Sequence, residues 1–272
     1  MKSAPSETAA APALQAEAVP RPNLFSLVGQ LALVTGGGTG IGFEIARCLA
    51  HAGATVVITG RREGVLRDAK TELGDAVHYL VNDVADLGAL DGLVAEIEAL
   101  HGPLDILVNN AGINLKKPAL DVTDEEFARI LHTNLHSVFA LTRACARRMV
   151  ARRKGVILMI SSMAAYYGID RVVAYAASKS AVEGMVKVLA SEFSKDNVRV
   201  NAIAPGFIET EMSRTAMNND PERRDRALQR TPMGKFGQPT DIGNAAVFLA
   251  SDAAGYITGA SLPVDGGNSI GF

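Results

Sequence analysis

This chain of 272 residues has few cysteines, no long apolar run and almost balanced charges. Its two cysteines, Cys48 and Cys145, fall in helical patterns without metal-ligand neighbours, so we expect small core residues of a reducing, cytoplasmic compartment. No apolar stretch approaches the roughly 18 residues of a membrane span. A formal net charge of −2 gives no electrostatic reason to expect nucleic acid or an anionic membrane. The sequence therefore predicts no partner of either kind.

The first 22 residues differ in composition from the rest of the chain. Residues 1–22 are rich in Ala, Pro, Ser and Glu without periodicity, which predicts a disordered tail, and they lack the apolar centre of a secretory signal. The remaining residues, 23–272, are long enough to form one large α/β domain.

Seven short apolar segments alternate with helical patterns in that domain. The predicted strands are Leu31–Thr35, Thr55–Thr59, Val77–Val81, Leu104–Val108, Val156–Ile160, Val198–Ile203 and Ser261–Val264. Such alternation predicts a doubly wound parallel sheet of about seven strands with helices on both faces, the Rossmann arrangement. Its ligands are expected at the carboxyl ends of the strands.

A glycine-rich turn follows the first strand and leads into a helical pattern that runs to Ala50. Glycine lets the backbone approach a pyrophosphate closely, and the free N–H groups of a helix N-terminus attract an anion. The turn therefore predicts a nucleotide site rather than an ordinary bend. Its expected cofactor contacts are Thr35, Gly36, Gly38, Thr39, Gly40, Ile41 and Gly42.

The end of the second strand indicates which cofactor is preferred. Gly60 stands where an aspartate would bind the ribose of NAD, and Arg61 and Arg62 follow it. Without a carboxylate to repel a 2′-phosphate, and with a guanidinium to bind one, NADP(H) is favoured over NAD(H), which stays possible. The alternative is that both arginines only begin a solvated helix.

Hydroxyl, phenol and ammonium groups occur together between Ile160 and Ala181. Ser162 follows the Val156–Ile160 strand, while Tyr175 and Lys179 lie four residues apart in a helical pattern and so share a face. A tyrosine has an ordinary pKa of about 10, and a nearby ammonium is expected to lower it towards the working range of an acid or base. The alternative is a solvated helix face beside a strand-end turn.

Ser162, Tyr175 and Lys179, together with the glycine turn and the sequence Asn-Asn-Ala-Gly at residues 109–112, resemble the signature of the short-chain dehydrogenase/reductase family. The resemblance implies that Tyr175 is the general acid/base, that Lys179 lowers its pKa and holds the nicotinamide ribose, and that Ser162 orients the substrate. It also implies that Asn134, in the helical pattern Thr123–Arg152, is a fourth catalytic residue that relays protons to solvent.

The same resemblance implies further cofactor contacts and an oligomer. Asp83 and Val84 are expected near the adenine, and residues 109–112 under the nucleotide. Relatives place a Pro-Gly turn against the nicotinamide, and the segment 265–267 at a subunit interface, usually in a tetramer. The further contacts are Asp83, Val84, Asn110, Ala111, Gly112, Tyr175, Lys179, Pro205, Gly206, Ile208 and Thr210.

Substrate choice is the least determined property. The rim segment Ile113–Leu120 includes Lys116, a candidate to bind an anionic substrate; the alternative is a solvated surface lysine. Met163, beside Ser162, is a further candidate substrate contact. Residues of about 207–237 have the composition of a mobile lid. A reductase of sugars or sugar acids is favoured; the alternatives are a 3-oxoacyl-acyl-carrier-protein reductase and a non-catalytic NADP(H) sensor.

His132 and His136 have helical spacing, but no carboxylate or cysteine ligand stands nearby, so no metal is expected.

Overall fold

The computed structural model describes residues 23–211, 213–214 and 220–271. The predicted tail and several residues of the predicted lid lie outside the described residues. Seven parallel strands form one sheet in the order β3-β2-β1-β4-β5-β6-β7, which confirms the predicted doubly wound arrangement. The strands are β1 Leu31–Thr35, β2 Thr55–Gly60, β3 Val77–Val81, β4 Ile106–Asn109, β5 Gly155–Ile160, β6 Val198–Pro205 and β7 Ser261–Val264.

Helices cover both faces of this sheet. They are α1 Gly40–His51, α2 Glu63–Leu73, α3 Leu90–His101, α4 Asp124–Leu131, α5 Ser137–Arg152, α6 Val173–Phe193, α7 Pro221–Arg230 and α8 Pro239–Ala250. In the described part of the chain no helix is both long and apolar enough to cross a membrane.

Alternate side chains of the central strands enter two separate cores. Leu33 and Leu107 pack with α3, α5 and α6, whereas Val34 and Val108 pack with α1, α2 and α8. Because both faces are buried, the strands need apolar residues at every position, which explains their continuous apolar runs.

The order of the strands reverses between β1 and β4, and Val34 of β1 pairs with Val108 of β4. In an open parallel sheet the ligand crevice lies at such a reversal, outside the carboxyl ends of the strands. The turns after β1 and β4 therefore face each other across this crevice.

The predicted helix Thr123–Arg152 is interrupted. A π-turn at His132–His136 separates α4 from α5, and Thr123 closes the start of α4 with a capping box. Mid-helix π-turns are frequent at functional sites. This one contains Asn134, so the interruption places a polar residue in the core.

Two other predicted boundaries differ from the structure. The sequence pattern predicts a helix from about Asp86 to Leu100, but this segment begins with a 3-10 turn and its α-helical part starts at Leu90. Strand β4 begins at Ile106 rather than Leu104, because Leu104 bonds to side chains: its N–H donates to Glu98 Oε1 (3.0 Å) and its carbonyl accepts from Arg152. These bonds replace the sheet ladder at that position.

Candidate active site

The ends of β1 and β4 are joined by side-chain hydrogen bonds. Thr35 is buried, and its Oγ1 accepts from the backbone N–H groups of Asn110 and Ala111, each at 3.0 Å. Asn110 Nδ2 donates to the Thr35 carbonyl oxygen at 2.9 Å. Thr35, Asn110 and Ala111 thus hold the two turns that border the crevice in one arrangement.

The glycine turn requires glycine for two different reasons. Gly36 has a φ of +66°, a left-handed conformation that favours glycine. A Cβ atom on Gly42 would overlap the Gly36 carbonyl oxygen and the Asn110 amide nitrogen, and one on Gly38 would lie 3.1 Å from Val65 Cγ1. Gly42 therefore allows the first turn of α1 to approach the strand ends closely.

The N-terminus of α1 is open towards the crevice. Thr39 is its N-cap in an extended conformation, and its side chain makes no capping hydrogen bond. The first N–H groups, from Gly40 onwards, lack intrahelical partners and attract an anion. Ile41 packs against the core that contains α1 and fixes the helix there.

The end of β2 offers two exposed arginines. Arg61 is exposed, Arg62 immediately precedes α2, and neither has an ion pair among the residues that the structure describes. A Cβ atom on Gly60 would meet only Leu66, at 3.5 Å or more, so a larger side chain fits there.

Two polar side chains near the end of β2 have unsatisfied oxygens. Thr59 Oγ1 and Asn82 Oδ1 are buried and have no hydrogen-bond partner in the described structure. Asp83 is exposed, and its carboxylate accepts from the Ala85 N–H at 3.0 Å; Val84 beside it is partly buried. Buried polar groups are nearly always paired, so the two orphan oxygens point to a ligand at this end of the crevice.

Ser162, Tyr175 and Lys179 come together between β5 and α6. Ser162 is the second residue after β5 and hydrogen-bonds the phenol of Tyr175. Lys179 is buried, its Nζ lies 5.6 Å from the centroid of the Tyr175 ring, and it donates to the Ile160 carbonyl oxygen at 2.7 Å. Helical spacing on α6 and the end of β5 thus unite residues 13 to 17 positions apart.

The pKa of Tyr175 is shifted in the direction opposite to the one expected from the sequence. Burial raises the pKa of the Tyr175 phenol above its usual value, and the Ser162 hydrogen bond opposes that rise. Burial lowers the pKa of Lys179 to about 8. The predicted lowering of the Tyr175 pKa by Lys179 is wrong for this structure, because desolvation dominates and the ammonium is directed at the Ile160 carbonyl.

Asn134 is fully buried within the π-turn and holds the loop after β4. Its Oδ1 accepts from the Ile113 N–H and its Nδ2 donates to the Ile113 carbonyl, both at 2.8 Å; Nδ2 also donates to Ser178 Oγ at 3.2 Å. A Cβ atom on Gly112 would lie 3.3 Å from Asn134 Oδ1 and 3.9 Å from Lys179 Nζ. Asn134 therefore lies beside Lys179, and its role in proton relay stays a prediction.

The segment after β6 reaches the glycine turn. Pro205 ends β6, and a Cβ atom on Gly206 would lie 2.6 Å from Asp265 Cα, so glycine permits that close approach. Ile208 bridges to Gly237. Thr210 Cγ2 lies 3.6 Å from the Cβ position of Gly40, which places the start of the predicted lid against the proposed phosphate site.

The residues predicted to bind substrate have partners within the protein. Lys116 forms an ion pair with Asp220 (Nζ to Oδ2, 3.0 Å), and Lys117 forms one with Glu126 (2.8 Å). An anionic substrate must therefore compete with Asp220 for Lys116, which the sequence analysis did not anticipate. Met163 is buried in the 3-10 turn that follows Ser162.

The two helically spaced histidines make structural contacts. His132 Nε2 lies 2.8 Å from the Ala85 carbonyl oxygen, and its ring meets that of His136 edge to face. Across the described ranges, no cluster of three or more His, Cys, Asp or Glu could hold a metal ion.

Sequence reasoning missed three residues near this site: Tyr167, Arg230 and Asn268. The Tyr167 hydroxyl donates to Asn268 Oδ1, and the Arg230 guanidinium lies 3.9 Å over the Tyr167 ring. The pair of adjacent tyrosines within the active stretch was a usable signal for Tyr167. Nothing local indicated that Asn268, 101 positions away, is its partner.

The sequence is similar to that of known dehydrogenases and reductases. Residues 36–269 match a family model described as enoyl-(acyl carrier protein) reductase. Galactitol 2-dehydrogenase (L-tagatose-forming) of Cereibacter sphaeroides is 43% identical over 251 residues, covering 91% of this chain and 98% of that protein. The 3-oxoacyl-acyl-carrier-protein reductase of Escherichia coli is 41% identical over 239 residues, covering 88% and 97%.

The fold is also similar to that of a solved structure. The crystal structure of a gluconate 5-dehydrogenase from Burkholderia cenocepacia, in complex with NADP and tartrate, superposes with a TM-score of 0.86 at 38% identity. The match covers 92% of this chain and 98% of that one. The similarity therefore extends over nearly the whole described domain and includes the crevice.

Proposed function

Because the chain belongs to the short-chain dehydrogenase/reductase family, we propose that it is an NADP(H)-dependent oxidoreductase for a sugar or sugar acid. It would interconvert a secondary alcohol and a carbonyl. The observation that carries this proposal is the grouping of Ser162, Tyr175 and Lys179 beside an open glycine turn.

The protein's part in the reaction is to bind one oxygen and move one proton. The nicotinamide, when bound, supplies or accepts the hydride. Ser162 and Tyr175, already hydrogen-bonded to each other, hold the substrate oxygen, and Tyr175 donates its proton to that oxygen during reduction. Lys179, with its pKa of about 8, is able to restore the proton to Tyr175 near neutral pH, and Asn134 is proposed to continue the path to solvent.

Residues of this chain fit an NADP(H) molecule along the crevice. The first turn of α1 would hold the pyrophosphate, and Arg61 would bind the 2′-phosphate with no carboxylate at Gly60 to repel it. The orphan oxygen of Asn82 would accept from the adenine amino group. NAD(H) is proposed as a weaker alternative.

A polyhydroxylated substrate is supported by the relatives. Galactitol and gluconate appear in the names of two of them, and the second was crystallised with tartrate, a hydroxylated dicarboxylate. We propose that residues 23–272 form one domain and that about residues 207–237 cover the substrate. Reduction of a 3-oxoacyl thioester is the second candidate, supported by the 41% identity to the Escherichia coli reductase.

A substrate panel tests the proposal. Purified protein is assayed with NADPH and NADH against keto-sugars, keto-sugar acids, a 3-oxoacyl thioester and simple ketones, and in reverse with polyols and aldonic acids. We expect turnover with NADPH and the sugar-derived substrates. Turnover of the thioester alone would establish the second candidate. Binding of NADPH without any turnover across the panel would contradict the enzymatic assignment and favour a sensor.

We propose a cytoplasmic homotetramer as the working form. An apolar groove of about 510 Å³ runs between α5 and α6, and Phe139 on its edge is 43% exposed. Both cysteines are free thiols, as is usual in a reducing compartment. Light scattering after size exclusion measures the number of chains.

A further inference from the structure

A chain of hydrogen bonds joins three segments that are far apart in the sequence. The Tyr167 hydroxyl donates to Asn268 Oδ1, Asn268 Nδ2 donates to Thr231 Oγ1 at 2.9 Å, and Thr231 Oγ1 donates to the Ala227 carbonyl at 2.7 Å. The first segment is the loop after Ser162, the second is the end of α7, and the third is the C-terminal segment. We call these four residues the clamp.

The clamp is buried and reinforced by a cation. Asn268 is 0% exposed and Thr231 is 5% exposed, so water does not replace their bonds. The Arg230 guanidinium lies over the Tyr167 ring at 3.9 Å, and Arg230 Nε donates to the Asn268 carbonyl at 3.1 Å. The Asn268 and Thr231 side chains each accept one of these bonds and donate the next, so the bonds strengthen one another.

One end of the clamp lies close to the reacting groups. The Tyr167 N–H donates to the Met163 carbonyl at 3.2 Å, and Met163 lies in the 3-10 turn that Ser162 caps through the Ala164 N–H at 3.1 Å. Tyr167 is therefore one short turn from Ser162. The other end holds Ala227 and Arg230, in the last turns of α7.

We propose that Tyr167 and Asn268 are positioning residues, which hold the end of α7 against the loop after Ser162 and thereby set substrate affinity. This inference rests on the proposed function. The glycine turn and Arg61 are not part of the clamp, so we expect cofactor affinity to stay unchanged when the clamp is broken. Removing the Tyr167 hydroxyl leaves Asn268 Oδ1 buried without a donor, which weakens the docked position of α7.

Tyr167→Phe and Asn268→Ala test the inference, with Tyr166→Phe as the matched control. Tyr166 is the adjacent, exposed tyrosine and lies outside the clamp. Loss of one buried hydrogen bond predicts a rise in KM for the sugar-derived substrate of about fivefold in Tyr167→Phe. The value of kcat and the dissociation constant of NADPH stay at wild-type values, because uniform substrate binding alone is lost. Tyr166→Phe leaves all three unchanged.

Hydrogen exchange provides a measurement that does not depend on turnover. In both clamp variants we expect faster amide exchange over residues 222–231 and unchanged exchange in β1. An unchanged KM with unchanged exchange would overturn the inference. So would a parallel loss of kcat, cofactor binding and thermal stability, which marks a merely structural role. If wild-type protein turns over nothing, the proposed function fails, and the exchange result alone then decides whether the clamp holds α7.

Discussion

Burial and hydrogen bonding act in opposite directions on the phenol of Tyr175. Burial raises its pKa and Ser162 lowers it, so the group is a protonated donor at neutral pH. Tyr175→Phe keeps the ring and removes the proton. We expect turnover to fall by about 10²- to 10⁴-fold, with the dissociation constant of NADPH unchanged. The absorbance of NADPH measures the first quantity and fluorescence titration the second.

Tyr256→Phe is the control for this substitution, because Tyr256 is fully exposed away from the site. Its turnover should equal that of the wild-type protein. Activity of Tyr175→Phe close to the wild-type value would show that another group supplies the proton.

Lys179 links the site to the stability of the fold. Its pKa is about 8 in the folded protein, against about 10.4 in an unfolded chain. Between these values the unfolded state binds more protons, so the contribution of Lys179 to stability rises with pH in that window and is least favourable below pH 8. The free energy of unfolding of wild type minus that of Lys179→Met should rise by about 2 kcal/mol between about pH 7.5 and about pH 9.5.

Urea unfolding of the two proteins at both pH values measures this difference. Lys187→Met, on the exposed face of the same helix, controls for the loss of a lysine. A difference that stays flat or falls with pH would refute the lowered pKa of Lys179.

At the residue scale, the chemical groups were predictable from sequence and their partners were not. The spacing of Tyr175 and Lys179 predicts a shared helix face, and the structure places them on one. The pairing of Lys116 with Asp220 joins residues 104 positions apart in the chain. The direction of the Tyr175 pKa shift depends on burial, which a sequence pattern does not measure.

Gly42→Ala tests whether the close approach of α1 to the strand ends requires glycine. Gly42→Ala improves helix propensity, yet its Cβ would overlap the Gly36 carbonyl and the Asn110 amide. We expect this overpacking to cost about 1–3 kcal/mol of stability and to weaken NADPH binding. Urea unfolding and cofactor titration measure the two effects.

Gly92→Ala, within α3, is the matched control. Nothing lies within 4 Å of a Cβ atom at Gly92, so the substitution should stabilise the protein by about 0.5–1 kcal/mol. Equal effects of the two substitutions would show that the close approach of α1 is unimportant.

The turn between β2 and α2 is the proposed determinant of cofactor preference. In Gly60→Asp with Arg61→Ala, a carboxylate repels the 2′-phosphate and a guanidinium is lost. The Cβ atom of the new aspartate meets only Leu66. We expect the ratio of kcat/KM for NADPH to that for NADH to fall by about 10- to 100-fold. Steady-state kinetics with both cofactors measure it.

Arg67→Ala removes an exposed arginine from α2 and controls for charge alone. It should leave the ratio of the two cofactors unchanged. An unchanged ratio in the double variant would overturn the assignment of Arg61.

At the scale of elements, periodicity predicted which segments are strands and helices better than where they end. The helical pattern Thr123–Arg152 is continuous in sequence, but the structure inserts a π-turn where Asn134 bonds to Ile113. The start of β4 shifted because Glu98 and Arg152 bind the backbone of Leu104. In both cases a contact made outside the element decided its boundary, and a local pattern holds no information on such contacts.

At the scale of the whole molecule, the two cores are buried, whereas an apolar groove beside α5 and α6 is exposed. Residues of α5 and α6, with Leu87 and the end of the π-turn, line the apolar groove of about 510 Å³, and Arg143 stacks on Phe139 there, 5.2 Å from its centroid. An exposed apolar groove of this kind is typical of a surface that a second chain covers. The fold was predictable because β–α alternation is local, whereas the assembly depends on this composite surface.

Phe139→Lys tests the proposed tetramer. A lysine in the groove would bury an unpaired charge between chains, which costs far more than the lost apolar contact. We expect light scattering to show smaller species at concentrations where the wild-type protein is tetrameric, with the unfolding of each chain still cooperative. Leu100→Lys, at a more exposed apolar residue on α3, should leave the assembly intact. A tetramer in both variants would exclude the α5–α6 groove from the interface, and dissociation in both would indicate that any added charge disrupts it.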